Sequence, residues 1–380
     1  MTADPPRLSV VVPTRNESEA IGLLWERLEP AVAGLDAEIC FVDDSDDGTP
    51  ELLQSLESER AEVHCLFRAG EERNGGLSTA VVAGLHMARG EYVCVMDADL
   101  QHPPELIPDM LAAAAGGADL VVASRYMQGG SDSGLAGSFR HLVSRAARLA
   151  ARALFHEARR STDPLSGYFL CRRRLLDGIE FRPVGFKVLL ELLVCVPGLR
   201  VQDVPLRFHP RSAGSSKASA AQGLLFLRHL TSLFLGVDGS ARLWKFGLVG
   251  ISGLSLFLPI LWVLSGPARV PPLVAFLPAF ALSFAWNMRW NLRWTFADQR
   301  HRPRPGHVRR FLLGTLVTSL IATFSIFALL GLTGLPPLAC GALAAAAGMM
   351  VNGAVNRRTA SVAPTIWGQV AVDAGVRLGL

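Results

Sequence analysis

From Arg242 onward the chain is dominated by four apolar stretches, at about 242–264, 272–294, 310–331 and 336–357, and these constrain its architecture more than any other feature. Each offers roughly the 20 residues that a bilayer core requires. Arg242 and Lys245 precede the first stretch, and Arg357 and Arg358 follow the fourth. Arg289, Arg293, Arg300, Arg302, Arg304, Arg309 and Arg310 lie between the second and third, whereas the other two connections hold only Arg269. Basic flanks arranged this way place both termini and the central loop in the cytoplasm. One such stretch could be a buried core helix; four with consistent flanks point to an all-α, four-helix membrane domain.

The formal net charge of +4 conceals a division. Residues 241–380 hold 13 Lys and Arg against 2 Asp and Glu, leaving 24 against 31 in residues 1–240. The arginines sit at the ends of apolar runs rather than along one polar face, which favours a membrane over nucleic acid as the partner. Six scattered cysteines (Cys40, Cys65, Cys94, Cys171, Cys195 and Cys340) form no Cys-x-x-Cys pair and read as small buried hydrophobes in a reducing compartment. The N-terminus shows no basic segment leading into an apolar one, so no cleaved signal peptide is expected and the first part should stay in the cytoplasm.

That first part alternates strands and helices. Strands are expected from Leu8 to Pro13, Glu38 to Val42, Val63 to Phe67, Glu91 to Met96 and Asp119 to Ser124, with a sixth after Tyr168. Apolar strands separated by amphipathic helices mean a mainly parallel, Rossmann-like α/β sheet, whose functional groups gather at the strands' carboxyl ends. The polar punctuation falls there: Asn16 and Glu17, Asp43 and Asp44, Asp97 and Asp99, Arg125.

Of these, Asp97-Ala98-Asp99-Leu100-Gln101 carries the most chemistry. Residues i and i+2 on a strand point the same way, so Asp97 and Asp99 could grip one ion while Ala98 turns aside. Oxygen ligands without His or Cys suit Mg²⁺ or Mn²⁺, and such a site usually completes its shell with substrate phosphates. An acidic turn after a strand is the plainer reading of a bare Asp-x-Asp.

Two helices are expected to meet the membrane surface. Residues 139–155 place Leu142, Ala146, Leu149 and Ala153 on one face, flanked by Arg145, Arg148 and Arg152, a pattern that suits an anionic membrane or packing as a surface helix. Residues 220–236 form an apolar, interface-like helix. In the membrane part, Asn287 and Asn291 are echoed by Asn352 and Asn356. Asparagines four apart share a helix face and are costly in lipid unless paired, and the echo suggests two helical hairpins related by a repeat.

With these residues in view, the first part resembles the family-2 glycosyltransferases of GT-A fold, and within them the dolichol- or polyprenol-phosphate mannose synthases. The matching stretches run in order: Pro13-Thr14-Arg15-Asn16-Glu17, Val42-Asp43-Asp44-Ser45-Asp46-Asp47-Gly48-Thr49, Gly76-Leu77-Ser78-Thr79-Ala80, Asp97 to Pro103, Ser124-Arg125-Tyr126, Asp163-Pro164-Leu165-Ser166-Gly167, Gly185-Phe186-Lys187, and Arg211 to Lys217. The second part resembles the GtrA-like four-helix membrane domain through Trp244-Lys245-Phe246, Val249-Gly250 and Asn291-Leu292-Arg293-Trp294-Thr295-Phe296.

The resemblance implies an enzyme and a role for each matched residue. Pro13, Arg15, Glu17, Val42 and Asp44 would line the nucleotide pocket, although many relatives have Tyr where this chain has Arg15. Asp97, Ala98, Asp99 and Gln101 would meet the donor's diphosphate, with Asp97, Asp99 and Gln101 holding Mg²⁺ or Mn²⁺. Asp99, Arg125 and Arg140 would be the catalytic set. Arg125 and Arg140 would face the donor and acceptor phosphates, with Ser144 beside them. Lys187, Arg211 and Lys217 would close over the phosphates.

The implied reaction is inverting transfer of mannose from GDP-mannose to a polyprenyl phosphate. A lipid monophosphate is already ionised at neutral pH, so no protein base is needed. A UDP-glucose or other hexose donor is the alternative within this class. A scaffold or translocator of lipid-linked sugar is the alternative outside it, and the intact Asp97-x-Asp99-x-Gln101 set argues against that. The expected organisation is a catalytic domain over 1–218, an interfacial helix and linker over 219–240, a membrane domain over 241–358 and a cytoplasmic tail over 359–380, in a multi-pass protein of the cell membrane.

Overall fold

The computed structural model describes residues 5–134, 138–181, 187–209, 220–237, 240–295, 297 and 305–359. The chain divides into two compact units, Met1–Val237 and Asp238–Leu380.

Unit 1 holds a seven-stranded sheet: β1 (Leu8–Thr14), β2 (Ala37–Asp43), β3 (Val63–Phe67), β4 (Tyr92–Val95), β5 (Leu120–Ser124), β6 (Phe169–Arg172) and β7 (Val201–Pro205). Their order is β3-β2-β1-β4-β6-β5-β7. Pairings are parallel except at β6, which runs antiparallel to both β4 and β5. The helices are α1 (Ser18–Val32), α2 (Thr49–Glu59), α3 (Leu77–Met87), α4 (Ile107–Ala115), α5 (Ser138–Leu154), α6 (Val188–Cys195) and α7 (Ala220–Gly236).

β1 is buried along its whole length because both faces of the sheet are covered. Alternation along the strand sends Val10 and Val12 to a core with Ile21, Leu24 and Leu28 of α1. Val11 points to a second core, with Val81 and Leu85 of α3 and Leu189 and Leu193 of α6. Gly84 lets α3 lie directly on the sheet; a Cβ there would run into Val11 and Val42. From β1 the chain winds outward through β2 and β3, then returns to β4 on β1's other side. The strand order therefore reverses between β1 and β4, the switch point outside whose carboxyl ends open α/β sheets hold their ligand crevice.

The predicted parallel sheet is present, with two additions. β7 is a short edge strand in which Gln202 and Asp203 interrupt the apolar residues and only Val204 is buried, so no apolar run announces it. The reversed direction of β6 is a matter of topology that periodicity does not encode.

In unit 2 the chain forms α8 (Arg242–Ser265), α9 (Pro272–Trp290) with a π-helical turn over Asn291–Thr295, α10 (Pro305–Gly331) and α11 (Pro337–Thr359). Among the described residues, Trp244–Ser265 is long and apolar enough to cross a membrane. Phe257, Phe276 and Phe327 pack its core, with Phe280 and Phe324 against them. Polar groups lie where helices come close: Asn287 abuts Gly253, Thr323 abuts Gly348, and the Ser283 hydroxyl donates to the Gly253 carbonyl at 2.8 Å. Asn291 accepts from the Thr295 hydroxyl at 2.8 Å; the side chains of Asn352 and Asn356 lie outside the described residues.

Candidate active site

The crevice is walled by the loops after β1, β2 and β4. Asn16 adopts a positive φ of 55°, and its backbone N–H donates to Ser45 Oγ at 2.7 Å while its Oδ1 accepts from Asp46 N–H at 2.9 Å. The loop carrying Arg15 and Glu17 is thereby fastened to the one carrying Asp44. Pro13 sits opposite Val42 in the parallel register, and both are buried, whereas Arg15 is exposed. The five residues expected around the nucleotide are thus on adjoining strand ends. Asp44 is itself engaged: Arg68, just past β3, grips its carboxylate with Nε at 2.8 Å and Nη2 at 2.5 Å, both side chains nearly fully buried. Arg73 extends this cluster to Asp46 and the Ser45 carbonyl.

At the end of β4 the chain turns sharply. Leu100, between Asp99 and Gln101, has φ 60°, a conformation that a branched side chain adopts only under constraint. Gln101 N–H donates to Asp99 Oδ1 at 3.2 Å. The Gln101 amide nitrogen donates to the His209 carbonyl at 3.1 Å, which directs its carbonyl oxygen to the other side. His102 is buried against Tyr168 and Phe208 and accepts the Asp97 N–H on Nδ1 at 3.0 Å. Gly167 leaves room beside Asp97: a Cβ there would stand 3.3 Å from Asp97 Oδ2 and 3.2 Å from His102 Cε1.

The described residues contain no cluster of three or more His, Cys, Asp and Glu side chains suited to a metal. Two carboxylates and an amide oxygen from one turn nevertheless fit a hard cation that takes its other ligands from water and phosphate.

The basic side follows β5. Arg125 Nε donates to Asp163 Oδ2 at 2.7 Å and Nη2 to Oδ1 at 3.1 Å, with Asp163 wholly buried. Burial alone would lower the Arg125 guanidinium, but the charge and hydrogen bonds of Asp163 outweigh it and hold the group above its ordinary value. Tyr126 and Phe208 cover the guanidinium at 5.3 and 5.5 Å from their ring centres. Lys187 Nζ donates to the Leu165 carbonyl at 2.6 Å. Burial, followed by the Arg125 charge, pushes the Lys187 ammonium down to about 8, against the opposing pull of Asp163 and Asp97. Arg125, Lys187, Asp163 and Asp97 thus share one electrostatic neighbourhood. The helix α5 carries Arg140 and Ser144, and the Ser144 hydroxyl meets the Tyr126 hydroxyl at 2.9 Å. Asp132 anchors the same helix through His141 Nδ1 at 3.1 Å. Gly185, Phe186, Arg211 and Lys217 lie outside the described residues.

The strand switch point is thus acidic at the end of β4, with Asp97 and Asp99, and cationic after β5, with Arg125 and Lys187 sharing the electrostatic neighbourhood of Asp163 and Asp97. The family model for glycosyl transferase family 2 matches residues 9–179, and that for the GtrA/DPMS transmembrane domain matches residues 245–360. The dolichol-phosphate mannosyltransferase of Pyrococcus furiosus is 34% identical over 352 residues, covering 92% of this chain and 98% of that protein. The chain belongs to glycosyl transferase family 2. Two further relatives of this glycosyltransferase match a shorter length. The dolichol-phosphate mannosyltransferase of Mycosarcoma maydis is 35% identical over 244 residues, 61% of this chain and 81% of that one. The undecaprenyl-phosphate mannosyltransferase of Micrococcus luteus is 35% identical over 222 residues, 56% of this chain and 88% of that one. The protein is an enzyme that joins a GT-A-like catalytic unit to a GtrA-like membrane domain.

Several residues of this glycosyltransferase's crevice were given no role from sequence. Arg68 follows a strand's carboxyl end, so the rule that picked out Asp44 and Arg125 would have found it. His102 and Asp163 stand in matched motifs, but only the fold shows that one receives the Asp97 N–H and the other the Arg125 guanidinium.

Proposed function

We propose that this glycosyltransferase moves mannose from GDP-mannose to a polyprenyl phosphate, with inversion at the anomeric carbon. The observation that carries the reading is the similarity to the Pyrococcus furiosus dolichol-phosphate mannosyltransferase across nearly the full length of both chains, catalytic and membrane parts together. The crevice chemistry agrees with it. Pro13, Arg15, Glu17, Val42 and Asp44 hold the nucleotide. Asp97, Asp99 and Gln101 would hold Mg²⁺ or Mn²⁺, which would supply positive charge for a diphosphate leaving group. Lys187 and Arg125 add cationic stabilisation in a site partly shielded from water.

Arg125, Arg140 and Ser144 receive the acceptor phosphate. Its oxygen is already anionic and attacks the anomeric carbon in line, so positioning replaces a protein base. The organisation follows the same reading. Residues 1–218 form the catalytic domain, 219–240 the interfacial link, 241–358 a four-span membrane domain and 359–380 a tail, with both termini in the cytoplasm.

The test is to incubate the purified full-length protein with Mg²⁺, undecaprenyl phosphate and one labelled donor at a time. Glycolipid should form from GDP-mannose and be lost with chelator or with Asp99→Ala. Product from UDP-sugars alone would overturn the donor assignment, and full activity in excess chelator would overturn the metal.

A further inference from the structure

Asp203 lies on β7, some forty residues along the chain from Asp163, yet its carboxylate collects three hydrogen bonds from the segment that holds Asp163. Ser161 Oγ donates to Oδ1 at 2.7 Å, and the Thr162 N–H and hydroxyl both donate to Oδ2 at 2.6 Å. An ionised carboxylate only accepts, so these bonds fix the hydroxyl protons of Ser161 and Thr162. The consequences run in two directions. The Ser161 oxygen accepts the Asp163 N–H at 3.0 Å. The Thr162 oxygen, its own proton given to Asp203, accepts from the Ser124 hydroxyl at 2.6 Å, and Ser124 Oγ accepts the Tyr126 N–H at 3.1 Å.

Two relays therefore end on one carboxylate. One begins at Asp163, the residue that grips Arg125; the other begins at Tyr126, which follows Arg125 and touches Ser144. The backbone carbonyls of the same segment also secure α5, since Arg148 donates to the Thr162 carbonyl at 3.1 Å and Arg152 donates to that of Ser161. Ser124, Ser161 and Asp163 are buried, so these bonds are largely protected from competition by water. β7 is fixed beside β5 by parallel pairing that sets Asp203 opposite Val122 and Pro205 opposite Ser124.

We infer that Asp203 is a positioning residue for acceptor recognition, setting Arg125 and the α5 residues Arg140 and Ser144 in one geometry through the Ser161 and Thr162 relays. This rests on the reading of Arg125 and α5 as the acceptor-phosphate side. Burial and the neighbouring Arg148 and Arg159 guanidiniums lower Arg152, and Asp203 is the carboxylate that opposes them, so it also balances charge where α5 meets the segment. Asparagine at 203 has one acceptor oxygen and presents an NH2 donor where the other stood, so one relay loses its acceptor.

The experiment compares Asp203→Asn, Ser161→Ala and Thr162→Val with wild type, using full-length protein, undecaprenyl phosphate and whichever nucleotide sugar the wild type turns over. A different preferred sugar would overturn the donor assignment and leave this comparison intact. Asp203→Asn should raise the KM for undecaprenyl phosphate about tenfold or more, as expected for loss of bonds to a charged group, while the donor KM stays within about twofold. Ser161→Ala and Thr162→Val should each give part of that rise and add little when combined with Asp203→Asn, because each breaks a relay that ends there. Hydrogen exchange on the substrate-free protein should show faster exchange at Tyr126 and Asp163 in Asp203→Asn. Unchanged exchange there, equal effects on donor and acceptor KM, or fully multiplicative combinations would overturn the proposal. Should Asp203→Asn fail to fold, Ser161→Ala and Thr162→Val decide it on the same acceptor-to-donor split.

Discussion

The backbone N–H of Asp97 donates to Nδ1 of His102 at 3.0 Å, so the loop's own buried imidazole fixes the start of the acidic turn. Removing that acceptor leaves a partly buried N–H without its partner, which costs about 1–3 kcal/mol. His102→Ala should lower stability by that order and raise the divalent-metal concentration needed for half-maximal activity about tenfold. His102→Asn can offer Oδ1 where Nδ1 stood and should retain most of the metal response. His102→Phe keeps the ring against Tyr168 but offers no acceptor, and should resemble the alanine variant. Metal titrations of the three variants check this; equal responses from all three would remove His102 from the positioning of Asp97.

Arg68 and Asp44 make a second pairing that decides the shape of the crevice. Both side chains are at least 94% buried, and their forked contact occupies both carboxylate oxygens. Removing one member of a buried pair leaves the other charge uncompensated, a loss of about 3–5 kcal/mol. Arg68→Ala should therefore lower the urea midpoint markedly and weaken nucleotide-sugar binding in the molecules that remain folded. Arg68→Lys keeps the charge without the fork and should fall between. Urea melts with and without saturating GDP separate the two effects, and a wild-type midpoint for Arg68→Ala would show that Asp44 does not depend on this partner.

The sheet was legible because its inner strands are apolar on both faces, and their carboxyl ends are where the polar residues stand. Leu8 to Thr14 and Tyr92 to Val95 declare themselves by composition, and the strand order reverses between them, with Asp44 following β2 on one side and Asp97 following β4 on the other. β7 was not legible: Val201–Pro205 is a half-exposed edge whose identity comes from pairing with β5, not from its own residues. For the same reason Asp203 carried no sequence signal. A carboxylate on a partly exposed edge strand looks solvated until the fold lays Ser161 and Thr162 against it. The Asp97-Ala98-Asp99 motif indicated oxygen ligands, whereas the left-handed Leu100 and the aim of the Gln101 amide required coordinates.

Lys187 gives the crevice a pH dependence. Its ammonium is held down to about 8, chiefly by burial and then by Arg125. The charged form is the one that attracts a diphosphate, and it is lost as pH rises through that value. Because kcat/KM reports the free enzyme, kcat/KM for the nucleotide sugar should fall above a pH of about 8. Lys187→Arg keeps its charge throughout this range and should move the descending limb to higher pH, even with a lower plateau. A limb unchanged in Lys187→Arg would assign it to another group.

Gly167 tests how closely the acidic turn is packed. Its absent side chain leaves space that a methyl would fill at 3.3 Å from Asp97 Oδ2 and 3.2 Å from His102 Cε1, tighter than ordinary contact on both sides. Gly167→Ala must push Asp97 or the His102 ring aside, and overpacking of this kind costs about 1–3 kcal/mol. The displaced group is a proposed metal ligand, so the loss should fall on function more than on folding. The metal concentration for half-maximal activity should rise about tenfold or more with only a modest shift in Tm. Gly22 in α1 supplies the control: it has nothing within 4 Å of where a Cβ would be, and Gly22→Ala should leave metal activation unchanged while raising stability by about 0.5–1 kcal/mol. Metal titrations and thermal melts of both variants check the contrast. A metal response in Gly167→Ala equal to that of Gly22→Ala would mean that the turn carrying Asp97 yields without cost, and that its close fit to Gly167 has no part in holding the ion.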